Sequence, residues 1–190
     1  PYAGVGLSRE MVTVISCELP LVLVLLAVGK AVGGDSVTFS FSAISAWQLE
    51  NGSLITRAGL IPAALAMLLV IPGETGSHPF DTAEAETEIC EGLLAEYSGG
   101  PLAVYKLSHA VKLLTMSSLF VALFLGGVGT GIIALDAVIL FALCTVIVAI
   151  FVSLVHAVTA RLKIEQVFKY YWTVVTALAA ISLVLVWYGL

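Results

Sequence analysis

The chain has 190 residues, 60% of them apolar and only 11% charged, with a net charge of −5 and a mean hydropathy of +1.09. Ordinary soluble domains carry about 25% charged residues, so a soluble globular domain is excluded and an all-α integral membrane protein is expected, a single membrane domain over residues 1–190 with the lipid bilayer as solvent and no nucleic-acid partner. Seven of the 13 acids lie between Glu74 and Glu96, and no Lys or Arg occurs between Arg57 and Lys106, so the acidity is a local device.

A bilayer core needs about 20 mostly apolar residues per helix. Five runs meet or approach that length: Val12–Val32, Leu54–Pro72, Leu107–Gly126, Ile132–Val155 and Tyr170–Leu190. Two acids belong to the first run. Glu10 is placed at its end nearest the acidic loop, and Glu18, eight residues on, lies about 12 Å deeper at ~1.5 Å rise per residue. A carboxylate at that depth costs roughly 2.5–3.5 kcal/mol by insertion scales, which makes Glu18 a functional candidate with a raised pKa, a purely structural carboxyl being the alternative. Pro20 is expected to kink the helix and free a carbonyl.

The segment Gly33–Ser53 contains VTFSFSAIS, whose apolar/polar alternation suggests a short strand or hairpin arm, or a packed loop. The second run is the weakest of the five, because Arg57 and Pro62 interrupt its start. Residues 73–106 then form the acidic loop. Gly73, Gly76 and Pro79 stop the preceding helix, and Ser77-His78-Pro79-Phe80-Asp81 reads as a turn feeding a new helix over Ala83 to about Leu94, capped by Asp81 or Thr82. On that helix Glu84, Glu88 and Glu91 share one face and Glu86 lies well around the cylinder. The same loop holds Pro79, Phe80, Ile89, Leu93, Leu94 and Tyr97, apolar enough to pack. Packed carboxylates this close have coupled, raised pKa values, the property a proton relay requires.

His78 is open to three roles: proton shuttle, turn-stabilising donor or partner contact. His109 and Lys112 are i, i+3 neighbours that offset the loop's charge, unless Lys112 only snorkels. His156 reads as interfacial, and Asp136, four or five residues into the fourth run, either reaches the interface or stays within the span. Placing the acidic loop on the cytoplasmic side puts Arg9, Lys106, Lys112, Arg161, Lys163 and Lys169 inside and Lys30 and Arg57 outside, which obeys the positive-inside rule. Cys17, Cys90 and Cys144 are too scattered for a disulfide framework or a metal site.

The loop resembles a known family. Glu74-Thr75, Pro79-Phe80-Asp81, Ala83-Glu84-Ala85-Glu86, Glu88 and Ala95-Glu96-Tyr97-Ser98-Gly99, in this order, are similar to the signature loop of the H-subunit family of respiratory complex I and its hydrogenase relatives. Ser8-Arg9-Glu10 resembles the Ser-x-Glu of the preceding helix. The wording Ser77-His78-Pro79-Phe80-Asp81, with Ser16-Cys17-Glu18-Leu19-Pro20, looks most like the membrane subunit of energy-converting (group 4, membrane-bound) [NiFe] hydrogenases. The resemblance implies that the five spans are the last five of eight, with three helices preceding them. It implies no cofactor in this chain, and iron–sulfur clusters and a NiFe centre in its partners: hydrogenase-type large and small subunits, an iron–sulfur subunit and antiporter-like membrane subunits. It implies an ion path through Glu10, Glu74, Asp81, Glu84, Glu86, Glu88 and Glu96, to which depth adds Glu18. His78, Phe80, Leu93 and Tyr97 are expected to face the hydrophilic arm. The expected setting is the cytoplasmic membrane of a bacterium or archaeon. A quinone-site subunit of a dehydrogenase oxidising NADH, reduced deazaflavin or ferredoxin is the alternative. A stand-alone secondary transporter is disfavoured because no inverted repeat is visible.

Overall fold

The computed structural model describes residues 2–34, 36–84, 92–127 and 133–189. Six helical rods and several short 3₁₀ turns make up the regular structure of the described residues, and no strand occurs among them. The first helix, α1, spans Tyr2–Gly33, ten residues longer at its start than the apolar run beginning at Val12. At ~1.5 Å per residue it measures about 48 Å, well beyond the roughly 30 Å hydrocarbon core, so its first turns stand level with the acidic loop.

Helix α2, Phe41–Asn51, replaces the expected strand or loop. Alternation in Val37–Phe41 covers too few residues to define a sheet face, and Ile44 and Gln48, spaced i, i+4, form the buried side of a helix instead. The fully buried Gln48 donates through Nε2 to the carbonyls of Ala122 (3.0 Å) and Leu123 (2.9 Å). These belong to the last turn of another helix, whose carbonyls have no intrahelical donors.

Two short 3₁₀ turns, Leu54–Thr56 and Ala58–Leu60, lead into α3, Ile61–Glu74, which is shorter than the run Leu54–Pro72 implied. Arg57 sits between the turns rather than inside a span. Among the described residues four helices are long and apolar enough to cross a membrane: α1, α4 (Gly100–Phe124), a rod over Ala134–Val158 and a rod over Ile164–Trp187; Ala58–Glu74 is a shorter apolar fifth. The third of these, α5, begins as Ile133–Ile147 and passes through π geometry at Val148–Leu154. The last, α6, begins at Ile164, six residues before Tyr170, so part of the expected 156–169 loop is helical. It runs through π geometry at Tyr171–Val175 and continues to Trp187.

The core lies where α1, α3 and α6 meet. Helix α3 is apolar nearly all round and buried by its neighbours, as such a helix must be; Ala63, Ala66, Met67, Val70 and Ile71 are 3% exposed or less. Val24, Ala27 and Val28 of α1 and Tyr171, Val175 and Ala179 of α6 close around it. Two polar ties cross this core: Tyr171 Oη donates to the Leu69 carbonyl at 2.9 Å and Ser182 Oγ to the Gly59 carbonyl at 2.6 Å. By contrast, α5 packs mainly on α4, and Val138, Phe141 and Val146 face outward. Such apolar faces suit contact with lipid or other membrane subunits.

Candidate functional site: a carboxylate-lined cavity

Where α3 ends, the chain turns across the start of α1 and the start of α4. Thr75 Oγ1 donates to the Ile71 carbonyl (2.9 Å), and Ser77 N–H to that of Pro72 (2.9 Å), which closes the helix. Thr82 is buried against α1, its hydroxyl 3.3 Å from that of Thr13. These ties hold the carboxylates of a connecting loop at fixed positions.

Between the loop and the two helices is a cavity of about 180 Å³ lined by Glu10 and Thr13 of α1, Glu74, Asp81 and Glu84 of the loop region, and Tyr105, His109 and Lys112 of α4. A water needs about 10–15 Å³ on this measure, so several fit, and the polar lining supplies partners for them. Lys112 Nζ lies 3.1 Å from Glu74 Oε1, which makes it an ion-pair partner rather than a snorkelling side chain. The other Glu74 oxygen is buried and has no hydrogen-bond partner among the described residues. Tyr105 Oη donates to Glu84 Oε1 at 3.0 Å.

Asp81 faces the cavity wall and also anchors the loop. Arg161 grips it with both arms, Nε to Oδ1 at 3.0 Å and a terminal nitrogen to Oδ2 at 2.5 Å. His78 Nε2 is 3.1 Å from the Thr159 carbonyl and so carries the proton there, while Nδ1 lies 3.6 Å from Asp81. The His78 ring also meets that of His156, with centroids 4.8 Å apart. Leu162 N–H donates to the Pro79 carbonyl (3.2 Å). These contacts tie His78 to the Thr159 segment and to Asp81. Arg161→Ala should loosen this clamp by about 1 kcal/mol, since the fork is bidentate but part-exposed. Hydrogen exchange at the Leu162 amide should quicken about fivefold, and Arg161→Lys, which lacks the planar fork, should restore only part of the protection.

The cavity gathers Glu10, Glu74, Asp81 and Glu84, and leaves out two other path candidates. Glu18 is exposed on the outer side of α1, although Cys17 beside it is fully buried; adjacent helix positions differ by about 100°, so depth along the helix did not determine burial. Glu96 is exposed at the end of a 3₁₀ turn, Gly92–Glu96, that packs against α1. Glu86 and Glu88 lie outside the described residues. Of the expected helix from Ala83 to about Leu94, residues 85–91 lie outside the described residues; at its two ends Thr82–Glu84 and Gly92–Glu96 are 3₁₀, and Gly92, at φ 51°, takes a left-handed conformation that an α-helix cannot pass through.

Phe80, expected to face a partner, is 7% exposed and packs on Tyr170 and Tyr171 at centroid distances of 6.0 and 5.1 Å. An aromatic ring next to a tyrosine pair gains more from this internal packing than from solvent. Tyr97, 43% exposed, stays on the surface, and Leu93 lies within the Gly92–Glu96 turn. Sequence reasoning missed Tyr105 and Arg161. Tyr105 carries no signal of its own and Arg161 reads as a topogenic charge, and only the fold pairs them with acids 21 and 80 residues away.

The family described as NADH dehydrogenase matches residues 1–187. Hydrogenase-4 component C of Escherichia coli (strain K12) is 40% identical over 126 residues, covering 66% of this chain and 38% of the relative. The H subunit of the NADH-quinone oxidoreductase of Dehalococcoides mccartyi is 32% identical over 187 residues, 97% of this chain and 49% of the relative. The chain therefore spans about half the length, or less, of these relatives. One component of the membrane-bound sulfane sulfur reductase, an archaeal respiratory membrane complex of known structure, superposes with a TM-score of 0.89 at 31% identity, covering 98% of this chain and 60% of that one. With its membrane-length helices, its signature loop and this match over nearly its whole length, the chain is a multi-pass membrane protein that belongs to the NADH dehydrogenase family.

Proposed function

We propose that this chain is the membrane-anchoring, ion-translocating connector subunit of a respiratory complex, coupling electron transfer in a hydrophilic [NiFe] hydrogenase arm to the movement of H⁺ or Na⁺. The observation that carries the reading is the cavity: four carboxylates, Glu10, Glu74, Asp81 and Glu84, and one ammonium, Lys112, line a space with room for several waters where the loop meets the helices. Carboxylates in such a space exchange protons through ordered water or hold a hydrated cation, and the Lys112 ammonium 3.1 Å from Glu74 is a fixed charge beside that path. The iron–sulfur clusters and the NiFe centre belong to partner subunits on the loop side, and antiporter-like subunits continue the path within the membrane. The acidic loop is cytoplasmic in this reading, in line with the six-to-two division of Lys and Arg. Tyr97 and the exposed end of the loop remain available to the arm.

A quinone-site subunit of a complex I-type dehydrogenase is the second reading, favoured by the match to the NADH-quinone oxidoreductase relative along 97% of the chain. The complex purified through a tag on this chain, and sealed into vesicles, separates the two. Hydrogen evolution from a reduced low-potential donor, with ion uptake, supports the hydrogenase arm; quinone reduction with ion uptake supports the second reading. Redox turnover without any ion movement overturns both.

A further inference from the structure

At the end of the bundle opposite the acidic loop, Lys30, Ala31 and Gly34 at the end of α1, Arg57 before α3, and Val186, Trp187 and Gly189 at the end of α6 enclose a cleft of about 320 Å³. Lys30 and Arg57 are the two basic residues that stand apart from the six at the other end of the chain's spans. The fold brings them to one cleft, with no carboxylate among its described lining residues.

Both cations are held in place by neighbours that leave their charge unneutralised. Lys30 Nζ donates to the Gly34 carbonyl at 2.6 Å and lies 4.9 Å from the centroid of the Trp187 ring. The Arg57 guanidinium stacks 4.5 Å from the Trp47 ring centroid. Aromatic faces and carbonyls attract a cation without cancelling it, and an ammonium retains two further donors after one hydrogen bond. The carboxyl ends of α1 and α6 oppose an anion here, each with about half a negative charge. Two full positive charges exceed that, so the balance of the described lining residues is positive.

We propose that this cleft binds the phosphodiester headgroup of an anionic membrane lipid. The choice of a lipid over a soluble phosphate rests on what borders the cleft. Trp187 and Tyr188 are 69% and 81% exposed, the amphipathic pair expected at headgroup level. Below them Ile181 and Val184, three residues apart along α6 and about half exposed, continue from Trp187 as an apolar strip on which an acyl chain can lie. The headgroup accepts hydrogen bonds from Lys30 and Arg57, and its tail covers the outer face of α6.

The test uses the chain in its native membrane complex, in phosphatidylcholine vesicles doped with a phosphatidylglycerol that carries a photoreactive acyl chain. Labelling should map to the peptide containing Ile181–Trp187 and fall about tenfold in the Lys30→Gln/Arg57→Gln pair, since each basic residue near a membrane surface contributes a several-fold gain in anionic-lipid affinity. The charge-keeping pair Lys30→Arg/Arg57→Lys should retain most of it, which separates lost charge from lost folding. Unlabelled phosphatidylglycerol should compete where phosphatidylcholine does not. Equal labelling by a photoreactive phosphatidylcholine, unchanged labelling in a folded double-Gln complex, or full competition by inorganic phosphate would each overturn the lipid assignment.

Discussion

Replacing Glu74 and Glu84 together by glutamine should abolish ion translocation in sealed vesicles while leaving electron transfer to an added acceptor within a few-fold of wild type. Glutamine matches glutamate in shape, and Tyr105 can still donate to an oxygen at position 84. It neither binds a proton at physiological pH nor balances Lys112, whose ammonium would be left 3.1 Å from a neutral amide. A positioned proton-transfer group typically contributes a hundredfold or more, so ions moved per electron should fall by about that factor. Either single variant should fall less, because the remaining carboxylates still line the cavity. The acceptor must be reached without passing through the loop, so that turnover reports the redox arm alone. A double variant that pumps at the wild-type ratio would remove the cavity from the path.

Gly73→Ala is expected to be the most destabilising single substitution among the residues of the site. Gly73 is helical and fully enclosed, and a Cβ there would overlap the Tyr171 ring and hydroxyl and press on Cys17 Sγ. Tyr171 has no room to retreat, being 0% exposed and tied to the Leu69 carbonyl. Inserting one methyl into a tight core costs about 1–3 kcal/mol, and a rigid aromatic neighbour places this case at about 3 kcal/mol. The loop acids would move with the end of α3, so translocation should fall in the fraction that folds. Adding Tyr171→Phe removes the nearest clashing atom, and the pair should regain part of the loss, a positive coupling in a double-mutant cycle read by thermal unfolding of the complex. Strict additivity would place the clash elsewhere.

The membrane character and the helical class were legible in the sequence because they rest on composition and local order. Twenty apolar residues can only be helical in lipid, since no water is available to their backbone groups. The glycines and Pro79 punctuate the loop wherever the chain goes, and the four long spans fall close to the runs of apolar residues. Helix ends were less legible: α6 starts six residues early because its first turns are amphipathic rather than apolar.

What the sequence could not determine was which side chains meet. It ranked Glu18 by depth, but depth is a one-dimensional quantity and burial depends on rotation about the helix axis. It read Phe80 as a partner-facing anchor, because the Tyr170–Tyr171 pair that buries it is 90 residues away. It could not pair Lys112 with Glu74 or Arg161 with Asp81, nor bring Lys30 and Arg57 to one cleft. Each pairing is a long-range packing outcome, set by how the helices and the loops between them close around one another. The sequence by itself determined that acids collect between two spans of a membrane protein; only the tertiary structure decided which of them share a cavity, since the Coulomb and hydrogen-bonding terms between them act over a few ångströms and leave no periodic trace along the chain.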